Sequence, residues 1–311
     1  MSNKNPCKTA YLSSFFHNRK ANFMNTKKHV SLLIGAHMSI SNGFEKAVFD
    51  TIAIGGNCMQ MFTKSNRQWN ARSLTQKQIN DFCKALKETS ISPKHVFVHA
   101  SYLINCASSD LELRKKSIDA LILEIERCQK LGISYLVLHP GTSKEPREKA
   151  FLLLADSLDQ ALEQTSDTVS VLLENMAGQG SSLGSTFKEL AQIKKFIKNK
   201  QRIHFCFDTC HAFAAGYDLS KEEEYENTIT EIEQTIGLNH IKLIHLNDSK
   251  KDLGSNVDRH ENIAKGKLGK AFFKRLCTDK RFINIPKILE TPKKILEDHK
   301  QDIETIKNLY Q

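Results

Sequence analysis

No run of apolar side chains in this chain approaches the ~20 residues that a membrane-spanning helix requires, which argues against a helical membrane protein. Proline occurs six times and tryptophan once, at Trp69, and the charged and hydrophobic content is too balanced for wholesale disorder. The eight cysteines, Cys7, Cys58, Cys83, Cys106, Cys128, Cys206, Cys210 and Cys277, lack the spacing of a small disulfide-stapled module and suit a reducing compartment. Cys206 and Cys210 form a lone C-x-x-x-C with no second half, and both are expected to be buried thiols. Acid is missing from the beginning of the chain: the first carboxylate is Glu45.

Residues 1–29 instead hold Lys4, Lys8, Arg19, Lys20, Lys27 and Lys28, six of the ten charges by which 45 Lys+Arg exceed 35 Asp+Glu. The arm has no continuous apolar stretch of the kind a secretory signal carries, and its Ser, Asn and Lys content predicts a disordered extension. A dispensable tail is expected, with Met24 as the favoured start; organelle or nuclear import is the alternative, weakened by the single arginine, Arg19. With 40% hydrophobic and 26% charged residues the chain as a whole is expected to be a soluble globular protein. Its length admits two domains or one (β/α)8 barrel of roughly 250 residues.

The pattern from residue 30 onward decides between them. Residues 30–36, 57–62, 95–99, 134–139, 169–174, 202–208, 241–247 and 285–290 are short, apolar and rich in β-branched or aromatic side chains, as buried strands are. Residues 75–88, 108–131, 148–163, 185–199 and 222–236 carry apolar side chains at helical spacing, with Gly132 placed as a helix C-cap. Eight strands alternating with helices predict a parallel sheet closed as a TIM-type (β/α)8 barrel, and no Pro-, Gly- or Ser-rich linker divides residues 30–311, so one domain is expected.

In such a barrel the active site lies where the strands end. Six of these strands end on His99, His139, Glu174, Asp208, His245 and Glu290, at separations of 40, 35, 34, 37 and 45 residues, each about one β/α unit. Imidazoles and carboxylates at the ends of apolar strands must be paired or ligated, because burying an isolated carboxylate costs several kcal/mol. His211, three residues after Asp208, and the pair Asp258 and His260 add candidates from rim loops. Five His, two Asp and two Glu make an N/O set without thiolate, which suits zinc, or manganese or iron in its place, and exceeds what one ion needs. Any one of these side chains alone reads as an ordinary hydrogen-bonded residue; six on one rim read as a polynuclear metal site. His37 is left unassigned, as an orienting or substrate-contacting group, and His17, His29, His95, His204, His240 and His299 carry no such signal.

Clusters of this kind serve phosphoester hydrolysis or sugar isomerisation. The loops favour the first. IGAHMS at 34–39, FTKSNRQW at 62–69, HASYLIN at 99–105, HPG at 139–141, LENMAGQGSSLG at 173–184, DTCHAFAAGYD at 208–218, HLNDS at 245–249, VDRH at 257–260 and LET at 289–291 together resemble the endonuclease IV family of abasic-site DNA repair enzymes. The resemblance implies a trinuclear zinc site. Glu174 would bridge two ions, with His99 and His139 completing the first and Asp208, His245 and Glu290 the second; His211, Asp258 and His260 would hold the third. It further implies a water-derived nucleophile between the first two ions, oriented by Glu290, with Glu174 and Asp208 also in catalytic positions. Arg67, Tyr102 and Leu103 would enter double-stranded DNA at the lesion. Physically, apolar wedges compensate for lost base stacking, and a missing base makes extrusion of the nucleotide cheap. Alone, the Tyr102-Leu103 pair reads as core, but its place directly after His99 on a rim loop reverses that; Trp69 reads as a packing support for its loop. A monomer without membrane attachment is expected, cytoplasmic and nucleoid-associated if the source is bacterial. Two rival readings are a metal-dependent sugar isomerase or epimerase on the same barrel and a non-catalytic binder of damaged DNA. The chain departs from the family pattern at Ala264 and Lys265, where a glycine and an acid are usual, and at Ala100, where an acid commonly follows the histidine.

Overall fold

A computed structural model describes residues 32–310. The basic arm expected at residues 1–29 lies outside the described residues. Eight parallel strands close into a barrel: β1 (Ile34–Met38), β2 (Cys58–Met61), β3 (Val96–His99), β4 (Tyr135–Leu138), β5 (Ser170–Glu174), β6 (Ile203–Asp208), β7 (Ile241–His245) and β10 (Lys287–Leu289), with β10 pairing between β7 and β1. All eight expected strand segments are present. The first starts later than expected: β1 begins at Ile34, and His37 sits within it rather than beyond it.

Around the barrel run α1 (Phe44–Ala53), α2 (Gln76–Thr89), α3 (Leu111–Leu131), α4 (Arg147–Glu163), α5 (Phe187–Phe196), α6 (Thr209–Ala214), α7 (Glu222–Thr235), α8 (Gly269–Thr278) and α9 (Leu296–Tyr310). Five match the amphipathic segments to within a few residues, and local chemistry sets their ends. Thr75 and Gln78 form a reciprocal capping box before α2, and Asp110 accepts from the Leu113 amide at the start of α3. Gly132 ends α3 in the left-handed region at φ 74°, which a side chain would disfavour. Four helices, α1, α6, α8 and α9, are additions to the expected set. No helix among the described residues is long and apolar enough to cross a membrane.

Two apolar layers hold the barrel. Cys58, Phe97, Val137, Leu172, Cys206, Leu243 and Ile288 fill its interior, while the alternate strand residues, such as Met59, Val98 and Leu173, pack outward on the helices. A short antiparallel pair, β8 (Asp248–Ser249) with β9 (His260–Glu261), was not expected and brings the loop after β7 back over the rim. Asp248 clamps that loop by accepting from the Gly266 and Leu268 amides at 2.9 and 3.0 Å. Gly266 has no alternative there, since a Cβ would lie 2.3 Å from the Ser249 carbonyl oxygen.

Candidate metal centre

The register of the barrel brings the six strand-end side chains onto one rim: Glu174 pairs laterally with Cys206 and Asp208 with His245, so neighbouring strands finish at a common level. Glu174 is fully buried at the centre, and its two oxygens face different partners. Oε2 lies 3.4 Å from His99 Nε2 and 3.3 Å from His139 Nε2, while Oε1 lies 3.0 Å from His245 Nδ1 and 3.3 Å from His211 Nδ1. His245 Nδ1 is in turn 3.2 Å from Glu290 Oε2 and 3.8 Å from Asp208 Oδ2. A further group forms at the loop side, where Asp258 reaches His211 Nε2 and His260 Nε2, each at 3.3 Å. The donor atoms thus fall into three sets close enough to share an ion each: His99, His139 and Glu174; Glu174, Asp208, His245 and Glu290; His211, Asp258 and His260. These sets coincide with the grouping that the resemblance implied.

Surrounding groups fix which atom each ligand presents. The Nδ1 atoms of His99, His211 and His260 lie 2.7, 2.9 and 3.1 Å from the carbonyl oxygens of Ala100, Asn175 and Glu290, so each Nδ1–H donates to backbone and Nε2 is the atom left for a metal. Asn175 and Asn247 hold Asp208: Asn175 brackets its backbone with bonds of 2.8 and 3.0 Å, and Asn247 Nδ2 donates to Oδ2 at 2.7 Å. Asn247 Oδ1 also accepts from the Glu290 amide at 2.8 Å, so one side chain ties two candidate ligands together. Asp208 Oδ1 accepts from the His211 amide at 2.7 Å, capping α6 and placing His211 one turn above it.

The fit to metal rests on what these bonds leave over. Glu174 Oε2, His211 Nε2 and His260 Nε2 are buried without a hydrogen-bond partner, an arrangement that costs free energy unless a cation accepts their lone pairs. The electrostatics agree. Burial resists ionisation of Glu174 and Glu290, yet the surrounding imidazoles hold both carboxyls well below their usual range. Asp258 is likewise held down to about 2: burial opposes ionisation, but the imidazoles of His211 and His260, each 3.3 Å away, outweigh it. Conversely the carboxylates hold His211 and His245 well above their ordinary value against the pull of burial. Four carboxylates in one pocket call for positive charge, and divalent metal on nitrogen and oxygen donors supplies it.

Two thiols set aside in the sequence also approach: Cys206 neighbours Glu174 and His245, and Cys210 neighbours Asp208 and His260. Burial pushes both up to about 12, so in the absence of metal they are protonated thiols.

A family model described as a xylose isomerase-like TIM barrel matches residues 50–309. A probable endonuclease 4 of Chloroflexus aurantiacus is 45% identical over 261 residues, covering 83% of this chain and 91% of its own length. The chain belongs to the endonuclease IV family. An apurinic-apyrimidinic endonuclease of Caenorhabditis elegans is 39% identical over 271 residues, 86% of this chain and 68% of that one. The crystal structure of endonuclease IV from Thermus thermophilus superposes with a TM-score of 0.78 at 32% identity, over 89% of this chain and 98% of its own.

The loop carrying Tyr102 and Leu103 adjoins the rim, and the loop carrying Arg67 is joined to it. Tyr102 is 56% exposed, so it is no core residue, and its ring sits 5.1 Å from that of His99 and 5.5 Å from that of His139. Leu103 is half-buried and Arg67 exposed. Ser101 Oγ donates to the Asn66 carbonyl at 2.8 Å and joins the two loops. Trp69 packs on the core as a support, in line with the expectation for it. A cavity of about 640 Å³ opens beside Glu290, lined by His37, Phe62, Lys64, Tyr102 and Lys293 among others. Of the family departures, Ala264 takes the left-handed conformation at φ 61°, a position that glycine would occupy without strain, and Lys265 is exposed.

The sequence reading missed Gln60. It is fully buried in β2, with Oε1 2.8 Å from His245 Nε2 and Nε2 2.7 Å from Glu290 Oε1 and 3.0 Å from His37 Nδ1. The one signal for it was a lone amide in the apolar strand CMQM, on the interior face two residues above Cys58.

Proposed function

We propose that this chain is a metal-dependent apurinic/apyrimidinic endonuclease of DNA base-excision repair, hydrolysing the phosphodiester 5′ to an abasic site to leave a 3′-hydroxyl, and that the same site removes blocking groups from damaged 3′ ends. The observation that carries the reading is Glu174, whose two oxygens are divided between two ligand groups on the rim. His99 and His139 would hold a first ion with Glu174. Asp208, His245 and Glu290 would hold a second, and His211, Asp258 and His260 a third, with zinc the metal that this donor set favours. Bound there, divalent metal supplies Lewis acidity to water and to the phosphodiester oxygens.

The protein's own part is orientation and proton handling. Glu290, kept ionised among imidazoles and open to the cavity, is the group that takes the proton from the attacking water. Glu174 and Asp208, anchored as described, hold the reacting centre rigid. Tyr102 and Leu103 project over the site as an apolar wedge, and Arg67 extends from the adjoining loop, the arrangement expected for entering double-stranded DNA where a base is missing. Residues 30–311 act as one catalytic domain, as a monomer, in whichever compartment holds the DNA, the cytoplasm and nucleoid in a bacterial source.

The test is incision of a duplex containing one abasic analogue, with and without chelator. Cutting should vanish on chelation and return with zinc at three ions per chain. Glu290→Gln should abolish cutting while binding to the abasic duplex survives. Near-normal cutting by Glu290→Gln, or turnover of sugars in place of DNA, would sink the assignment.

A further inference from the structure

The bonds of Gln60 are connected by a constraint on protons. If His245 binds metal, it must do so through Nδ1, the nitrogen that faces Glu174, Glu290 and Asp208. Its proton then lies on Nε2, and Gln60 Oε1, 2.8 Å away, is the acceptor. That choice fixes the amide. With the oxygen committed to His245, the two N–H groups of Gln60 Nε2 point to Glu290 Oε1 at 2.7 Å and His37 Nδ1 at 3.0 Å. His37 Nδ1 lies between Gln60 Nε2 at 3.0 Å and Glu290 Oε1 at 3.3 Å; accepting across the shorter contact, it carries its own proton on Nε2, a buried atom with no partner in the protein, on a ring that lines the cavity beside Glu290. One amide therefore determines the state of three side chains contributed by three different strand ends. The reverse orientation would set a Gln60 N–H against the His245 N–H and place the Gln60 oxygen against the Glu290 carboxylate.

We propose that Gln60 is a positioning residue of this metal centre: it orients His245 and Glu290 toward a common ion and commits His37 to the tautomer protonated on Nε2. The proposal rests on the metal reading above. The position of Gln60 suits the role, since its strand neighbours Cys58, Met59 and Met61 are all buried and leave the amide no exchange with solvent. An amide is the one uncharged group that accepts from one partner and donates twice through a single nitrogen.

The experiment compares the full-length wild type with Gln60→Met, of similar size but unable to make these bonds, and with Gln60→Glu, which keeps the acceptor for His245 and loses the donors. Circular dichroism is used first to establish folding. Zinc is then titrated against a chromophoric chelator, and kcat and KM are measured on an abasic duplex. Gln60→Met should weaken one of the three ions about ten- to a hundredfold, leave the other two, and lower kcat with little change in KM. Gln60→Glu should recover most of the zinc affinity but not kcat. If Gln60→Met does not fold, Gln60→Asn, whose amide is one methylene too short, takes its place with the same expectations. Equal zinc affinity and equal kcat in wild type and variant would overturn the proposal while leaving the metal reading intact. A wild type that takes up no zinc would overturn the metal reading instead.

Discussion

The loop that carries Arg67 should depend on a buried ion pair beneath it, and Glu124→Ala tests this. Glu124 projects from α3 at 1% exposure; its Oε2 accepts from Thr63 Oγ1 at 2.7 Å and its Oε1 lies 3.5 Å from Lys64 Nζ. Arg127, one turn further along α3, donates from Nε to Thr63 Oγ1 at 3.1 Å, from Nη1 to the Arg72 carbonyl at 2.9 Å, and from Nη2 to the Thr63 carbonyl. Lys64 Nζ completes the loop by donating to the Gln68 carbonyl at 2.6 Å. Removing the carboxylate leaves Lys64 and Arg127, 7% and 6% exposed, without their only counter-charge in this network. Breaking a buried pair from one side costs about 3–5 kcal/mol, a large part of the ~5–15 kcal/mol that folded domains possess. For a chain of this size that corresponds to a fall in melting temperature on the order of 10 °C. Because the pair lies below the loop and not beneath the rim ligands, zinc content should be unchanged. Preference for abasic over intact duplex should fall about tenfold, equivalent to ~1.4 kcal/mol of lost preorganisation. Glu124→Gln, which keeps an acceptor for Thr63, should lie between. Calorimetry, zinc analysis and competitive incision read the three quantities separately. A melting temperature within ~2 °C of wild type, or loss of zinc together with loss of preference, would refute the reasoning.

Two further perturbations bear on stability away from the ligands. Ala264→Gly should stabilise the chain by about 0.5–1 kcal/mol, because relief of ~1–2 kcal/mol of left-handed strain exceeds the extra entropy of glycine in the unfolded chain; a lower urea midpoint would contradict it. Burial, together with Lys242, Lys194 and His240, lowers His204 to about 4 from its ordinary 6.5, so between those values the unfolded chain binds the additional proton. Stability from this source is therefore full above pH 6.5 and is lost toward pH 4, on the order of 1–2 kcal/mol by pH 5 for a partly solvated ring. His204→Gln should flatten the decline of the urea midpoint between about pH 7 and pH 5, and an unaltered slope would count against it.

The side chains that meet at the rim were legible in the chain because a barrel repeats: one polar residue closing each apolar strand, spaced by one strand and one helix, leaves a regular mark. What escaped notice lacks such a period. Gln60 is one amide in a strand whose interior and exterior faces are both apolar, and its three partners are 23, 185 and 230 residues distant. Asn175 and Asn247 adjoin ligands in sequence, but their function is bonding to the Asp208 backbone and carboxylate, which residue type alone does not disclose. The helix α1 was hidden because Phe49 and Ile52 are exposed, blurring the apolar stripe, and α6 because it is one and a half turns long and begins at a ligand. The pair β8–β9 has two residues per strand, below what alternation can reveal. Long-range polar bonds and the shortest elements, α6 and the β8–β9 pair, thus left no periodic trace.

The charge of the chain acquires a different meaning once the rim is known. Of ten excess positive charges, six lie in residues 1–29, so the remainder of the chain carries four. Even those four are counted with Glu174, Asp208, Asp258 and Glu290 as unopposed anions. Without metal the four carboxylates are opposed only by the imidazoles among them, His211 and His245 foremost, so the floor of the site offers a phosphodiester little net positive charge. Three bound dications would outweigh four carboxylates and reverse the sign at the point where a phosphate must sit, while Arg67, Lys265 and Lys293 extend the positive field outward along the loops. On the proposed reading, chelation should therefore weaken binding of duplex DNA to this face as well as its cutting, and equal binding with and without metal would contradict it.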